Sequence, residues 1–436
     1  MRRSPMLVLA MVLIGCLRFA AGSSLAAGDS IKIGVIYPLT GSAAAEGREL
    51  RAGAELAAGI ANGSFPDMAM DMAKRVGIAS LGGAKVELIF KDHEGNPTLG
   101  ADLAKKLILD DKVVGILGAY HSAVTKTVSA VCEQYGVPMI NESSTSPGLT
   151  ERGYRWFWRT TPHDLAFTKD LFEFLKGLTE GKAKGVPAVP KNELRVLVVA
   201  CEKTEWGSRV SSTIEAFAKE YGYDLKKSLL YAAKSVDLSA EVRSLVAAKP
   251  DVMLFASYAS DAILLMRTLK AEKAETKIVW GQNAGFEAPE FRSTLGDDVL
   301  GVLTRTVFAP KLAEAKPVAG QVNALYRKAA GHDLNGASAR AFTGVQTWVE
   351  ILQKAGSIEP AAIQKAANSI VIPGDQLVVP WSGIKFSTDG GHLGQNEKGS
   401  GIIGQYQKDR GGNIVLEIVY PFELATANLL YPFKGF

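Results

Sequence analysis

Two runs of small polar residues have the composition to hold the polar head of a small ligand. They are Gly118-Ala119-Tyr120-His121-Ser122 and Asn141-Glu142-Ser143-Ser144-Thr145-Ser146-Pro147. Each follows a short apolar run typical of a buried strand, residues 113–117 before the first and 137–140 before the second. Between them Val124, Val128, Val131 and Tyr135 recur at helical spacing, which predicts a helix over about 122–135. In a parallel sheet both turns lie at the carboxyl ends of their strands, where open α/β sheets bind ligands. Ser122 stands where the helix begins, so its hydroxyl and the free backbone N–H groups there suit a carboxylate. Either run alone reads as a helix cap or a turn. Two on successive strand ends read as a binding site.

Catalytic chemistry finds little support. Residues 115–118 do not make a phosphate loop, and no Gly-x-Ser-x-Gly elbow occurs. His93, His121, His163, His332 and His392 lack metal-ligand spacing, so neither a metal nor another cofactor is expected. His121 adjoins Ser122, but neighbouring residues on a strand point to opposite faces.

The elements that must position these turns alternate. Strands are expected at 31–36, 85–90, 195–200, 224–231, 251–255 and 277–281, with helices at 49–61, 165–178, 206–222, 238–248 and 261–270. Such alternation means parallel sheets, and the pattern restarts after Pro162, as a second α/β lobe would. Roughly 400 residues also exceed one ordinary core. Helices at 318–330, 339–355 and 360–368 have no comparable strand between them and read as cover returning to the first lobe. Residues 64–83 form an insertion without a clear pattern, and the tail from Trp381 suggests antiparallel strands at 401–407 and 414–420.

Residues 1–27 read as an export segment: Arg2 and Arg3, an apolar stretch at 7–14, and Ser24-Leu25-Ala26 before a cleavage point. The stretch is shorter than the ~20 residues that span a bilayer. Leu13-Ile14-Gly15-Cys16 also resembles a lipobox, so a lipid anchor at Cys16 is the alternative to a free periplasmic protein. Without this segment the formal charge falls from +4 to +1, which argues against a nucleic-acid surface. Cys132 and Cys201 remain, and they read as two buried thiols, with a disulfide as the alternative.

In order and spacing, these pieces resemble a solute-binding protein of an ABC importer, in the branched-chain amino acid and amide-binding family. The resemblance rests on Ile33-Gly34 with Pro38-Leu39-Thr40-Gly41, on Asp92 with Asn96-Pro97, and on Thr145-Ser146-Pro147 with Leu149-Thr150 and Arg152-Gly153-Tyr154. It continues through Arg159-Thr160, Glu202 with Glu205-Trp206-Gly207, Asp251 with Asp261-Ala262, and Gly281. It implies an α/β fold of two Rossmann-like lobes with parallel sheets, joined by three hinge strands and closing on a ligand (the type I periplasmic binding fold). The lobes would comprise residues 28–161 with about 285–375, and 162–284 with about 376–436. Crossings would fall near 159–163, near 281–286, and within 371–385.

The resemblance also implies a site. Ser122, Ser144 and Thr145 match carboxylate-holding positions, and Asp164, Trp206, Tyr258 and Asn283 match second-lobe positions that close on the ligand. Trp206 and Tyr258 would supply apolar area and stacking. Two departures stand out. Asn283 replaces the carboxylate that holds an amino acid's ammonium, and an amide cannot supply that charge. Glu46 stands where an apolar or aromatic residue is common and reads either as a substitute counter-charge or as an exposed helix-start glutamate. A branched-chain amino acid, an amide, or a hydrophobic or aromatic carboxylate all fit. His121 and Gly95 occupy positions where some relatives have a disulfide pair, so that bridge is absent. A monomer delivering to a membrane permease is expected. The competing class is a ligand-binding sensory protein signalling to a membrane receptor; such receptors usually carry a membrane helix and an output domain, which the chain to Phe436 lacks.

Overall fold

The computed structural model describes residues 30–435; the expected export segment with Cys16, and Phe436, lie outside them. The first lobe is built on a wholly parallel sheet. Its strands are β1 (Ser30–Tyr37), β2 (Lys85–Asp92), β3 (Gly115–Gly118), β4 (Met139–Asn141) and β5 (Phe157–Arg159), in spatial order β2-β1-β3-β4-β5. Ile33, Val35, Ile116, Leu117, Met139 and Ile140 are all buried, as central strands covered on both faces require. α1 (Ala44–Asn62) covers one face, while α2 (Pro97–Leu109) and α3 (Ser122–Tyr135) cover the other. The reversal of strand order lies between β1 and β3, so the turns after these strands flank the crevice where such sheets take ligands.

The second lobe holds a mixed sheet ordered β14-β13-β10-β9-β8-β6-β7. β6 (Val196–Glu202), β7 (Asp224–Tyr231), β8 (Val252–Ala256), β9 (Ile278–Gly281) and β10 (Leu303–Thr306) run parallel. α4 (Asp164–Thr179) and α5 (Glu205–Glu220) pack on one face. α6 (Ser239–Val246), α7 (Ala259–Ala271) and α8 (Pro289–Leu295) pack on the other.

α9 (Leu312–Ala315), α10 (Pro317–Ala330), α11 (Gly336–Ala355) and α12 (Pro360–Ala367) return to the first lobe, where their apolar faces join those of α1 and its sheet. The insertion at 64–83 is not loose: Met68, Met70, Met72 and Ile78 are buried in that same core. A short antiparallel pair, β11 (Ile372–Pro373) and β12 (Gly383–Ile384), precedes the antiparallel strands β13 (Ile402–Lys408) and β14 (Ile414–Tyr420).

Two lobe boundaries lie later in the chain than the sequence pattern places them. β10 belongs to the second sheet, and Val307, Phe308 and Ala309 then enter the first core, so the second crossing follows Thr306 rather than Gly281. Four residues reading Leu-Thr-Arg-Thr show no apolar alternation, which hides the strand. Trp381, Ile384 and Phe386 still belong to the first core, and the third crossing lies between Asn396 and Ile402. The first crossing runs from Arg159 to Asp164 and lies beside the third: Arg159 pairs with Gln395, and its Nε donates to Gln395 Oε1 at 2.6 Å. Cys132 and Cys201 are unbonded and buried in different lobes, and burial pushes both thiols up. Among the described residues, no helix is long and apolar enough to cross a membrane.

Candidate functional site

The two hydroxyl turns meet at the mouth of the crevice between the lobes. α3 begins at Ser122, but His121 is the capping residue, and the Ser122 hydroxyl instead accepts a bond from Ser146 N–H at 3.4 Å. It is therefore not spent on its own helix. Asn141 shapes the second turn: its Oδ1 accepts from Ser144 N–H at 2.9 Å, and its Nδ2 donates to Ser144 O at 2.8 Å. The Ser144 hydroxyl ties the turns together, with Tyr120 O at 2.9 Å and Thr125 Oγ1 at 2.6 Å.

A narrow cavity opens beside these turns. From the first lobe it is lined by Tyr120, Ser122, Ser143 and Thr145, and from the second by Trp206, Tyr258, Asn283, Ala284 and Arg305. α5 positions Trp206 one residue into the helix, held there by the Thr204 cap, whose Oγ1 accepts from Gly207 N–H at 3.0 Å. Tyr258 precedes α7, and its ring lies 5.1 Å from that of Trp206 and 4.6 Å from that of His121. His121 occupies the space a disulfide would need: a Cβ built on Gly95 would sit 3.8 Å from its ring. Burial lowers the His121 pKa well below its ordinary value, so the ring is a neutral wall.

A second narrow cavity adjoins the first and shares Tyr120, Asn283 and Ala284 with it. Glu46, Glu287, Asn335 and Arg340 supply its polar lining. Glu46 is 3% exposed, and neither of its oxygens has a hydrogen-bond partner among the described residues. Burial pushes its carboxyl up to about 8, so at pH 7 it is mostly a neutral acid. It is buried, not an exposed helix-start glutamate.

The lobes are tied by buried polar contacts. Asp164, fully buried at the start of α4, accepts from Thr145 Oγ1 at 2.8 Å, Arg305 Nη2 at 3.1 Å and Gln282 Nε2 at 3.2 Å. Asn283 accepts from Arg340 Nη1 at 3.1 Å and donates to Glu287, whose other oxygen accepts from Gly336 N–H at 2.7 Å. Asn283 and Ala284 hold φ of 61° and 47°, a strained conformation of the kind that concentrates at functional sites.

Of the positions expected from the sequence, Ser122, Thr145, Trp206, Tyr258 and Asn283 line the first cavity, and Glu46 and Asn283 line the second. Ser144 lines neither, because its hydroxyl is committed to Tyr120 and Thr125. Asp164 is likewise occupied, by Thr145 of the first lobe and by Arg305 and Gln282 of its own. Arg305, Arg340, Glu287 and Tyr120 escape the sequence reading. Arg305 lies on the hidden strand β10, and Arg340 sits in a helix whose Ala and Thr neighbours look unremarkable. A strongly polar residue inside an otherwise buried helix face was the available cue.

Two α/β lobes crossed three times, with a polar and aromatic cleft between them, define a two-lobed solute-binding protein. The chain belongs to the family described as periplasmic binding protein, whose model matches residues 30–398. It is 26% identical over 424 residues to Leu/Ile/Val-binding protein homolog 7 of Brucella suis biovar 1, spanning 94% of this chain and 96% of that one. Similar solved structures include the leucine-binding protein LivK of Thermotoga maritima (TM-score 0.72, 21% identity, 90% of this chain and 100% of that one). Another is a solute-binding protein of an ABC transporter from Rhodopseudomonas palustris in complex with 3,4-dihydroxybenzoic acid (TM-score 0.72, 18% identity, 93% and 99%). These structural likenesses bear on the fold.

Proposed function

We propose that this protein works outside the cytoplasm, capturing a small amphipathic ligand between its closing lobes and delivering it to the membrane permease of an ABC importer, without catalysis. The ligand class spans a branched-chain amino acid, an amide and a hydrophobic or aromatic carboxylate. One observation supports this most: hydroxyl donors from one lobe face aromatic rings and a guanidinium from the other across a single cavity. Ser122 donates its uncommitted hydroxyl to the polar head and Thr145 joins it by turning its hydroxyl away from Asp164, while Trp206 and Tyr258 cover the tail. Contact with both lobes favours the closed form, which is a population shift. The LivJ protein of Streptococcus pneumoniae in complex with isoleucine and the Rhodopseudomonas protein in complex with 3,4-dihydroxybenzoic acid mark the two ligand types to try first.

Ser122→Ala with Thr145→Ala tests the head-group assignment. Losing two hydrogen bonds to a charged group, each worth about 1.5–3 kcal/mol, weakens binding by about 100-fold or more. The check is calorimetric titration with L-isoleucine or 4-hydroxybenzoate, whichever raises the melting temperature of the unaltered protein. Unchanged affinity in the double variant refutes the assignment.

A further inference from the structure

The two adjoining cavities each contain a buried arginine with free hydrogen-bonding capacity. Arg305 and Arg340 are each 2% exposed. Arg305 uses Nη2 on Asp164 and Thr145, which leaves Nε and Nη1 without acceptors among the described residues. Arg340 uses Nη1 on Asn283, which leaves Nε and Nη2 in the same condition. Buried donors of this kind are costly unless something accepts from them. A guanidinium presents its donors in a planar fork that matches a carboxylate.

The other unsatisfied groups agree in character. In the first cavity, which Ser122 also lines, Trp206 Nε1 is a donor without a partner among the described residues. In the second, the Tyr120 hydroxyl and both Glu46 oxygens have no partner among the described residues, and burial favours the protonated Glu46 carboxyl, a further donor. Glu287, the remaining carboxylate there, is already engaged by Thr306, Asn283 and Gly336. Both ends are therefore rich in donors, each with an arginine free to meet an acceptor oxygen. Tyr120 is shared by the two cavities, its ring centre lies 5.8 Å from that of Tyr258, and Tyr258 lies 5.1 Å from Trp206, an aromatic surface along which a flat apolar spacer can lie.

We propose that the natural ligand is a bifunctional organic acid with an acceptor oxygen at each end. Its carboxylate meets Arg305, Ser122 and Thr145 in the first cavity, a flat spacer lies along Tyr120 and Tyr258, and a second acceptor oxygen, hydroxyl or carboxylate, meets Arg340 in the second. This narrows the capture reading above and rests on it.

Calorimetric titration of the protein without its export segment, with benzoate, 4-hydroxybenzoate, terephthalate and L-leucine, tests the idea. The expected result is that 4-hydroxybenzoate or terephthalate binds at least tenfold more tightly than benzoate. In Arg340→Met that preference falls below threefold, while benzoate affinity stays within about twofold. Tyr120→Phe, which removes only the hydroxyl, reduces the same preference and serves if the arginine variant does not fold. Equal affinities for benzoate and the two para-substituted acids in the unaltered protein overturn the proposal. Binding of L-leucine alone also overturns it, yet leaves capture between the lobes intact. If none of the four binds, the ligand class of the capture reading fails along with the bifunctional acid.

Discussion

Glu46 allows a prediction in which the sign and the size both follow from its surroundings. Its carboxyl is buried against Tyr120 and the start of α11, with Glu287 and Glu290 raising its pKa and Arg48 partly opposing them. Held at about 8 in the folded protein and at its ordinary value of 4.5 when exposed, it keeps a proton that the unfolded chain releases. The native state thus binds more protons between these two values, and stability falls as pH rises through that window. The contribution is fully present below pH 4.5. At about 1.36 kcal/mol per pH unit it amounts to a loss of at most about 5 kcal/mol by pH 8.

Glu46→Gln replaces the neutral acid with a group of the same shape that cannot ionise, so the variant lacks this loss. Glu142 and Asp170, both pushed up to about 7, and Glu202, pushed up to about 8, titrate in the same window but are common to both proteins. Melting followed by circular dichroism at pH 5 and pH 8 is the assay. At pH 5, where the loss is still under about 1 kcal/mol, the variant should melt no more than about 3 °C higher. At pH 8 the variant should melt higher by ~5 °C or more, since 1 kcal/mol moves a lobe-sized unit by about 2–4 °C. An equal gap at both pH values would refute the reasoning. So would a variant less stable at pH 8, which would mean that an ionised Glu46 is held by a partner.

Two further substitutions probe the frame around the site. Asp164→Ala strands the buried Arg305 charge and should cost about 3–5 kcal/mol in denaturant unfolding, whereas Asp164→Leu with Arg305→Met removes both charges and should cost less; the reverse order would show that the pair itself is the stabiliser. Asn96 caps α2 by accepting from Thr98 N–H at 2.9 Å and Leu99 N–H at 3.2 Å, so Asn96→Ala should lose about 1 kcal/mol in the same measurement.

Periodicity made most of the frame readable. The helix expected over 122–135 is α3 residue for residue, and the strand expected at 224–231 is β7, because apolar spacing and the flanking turns agree there. The two hydroxyl turns could be found because they end apolar strands of a parallel sheet. What stayed hidden was polar and buried. β10 presents Thr304, Arg305 and Thr306 to the interior, and a strand whose buried residues are polar has no apolar signature. Arg340 and Glu287 meet only when α11 of the first lobe comes against the turn before α8 of the second, a contact between positions far apart in the chain. Likewise, Ser144 and Asp164 look like ligand contacts from their residue types, yet the turn and the opposite lobe use their hydrogen bonds first.

The central claim is that one ligand is held by both lobes at once, and backbone hydrogen exchange with and without ligand tests it most directly. L-Isoleucine or 4-hydroxybenzoate would be used at saturation, whichever raises the melting temperature more. The account predicts added protection in both lobes together: at residues 120–125 and 143–146 of the first, and at 204–208, 257–259 and 282–285 of the second. Protection confined to one lobe, or gained only outside these segments, would contradict it.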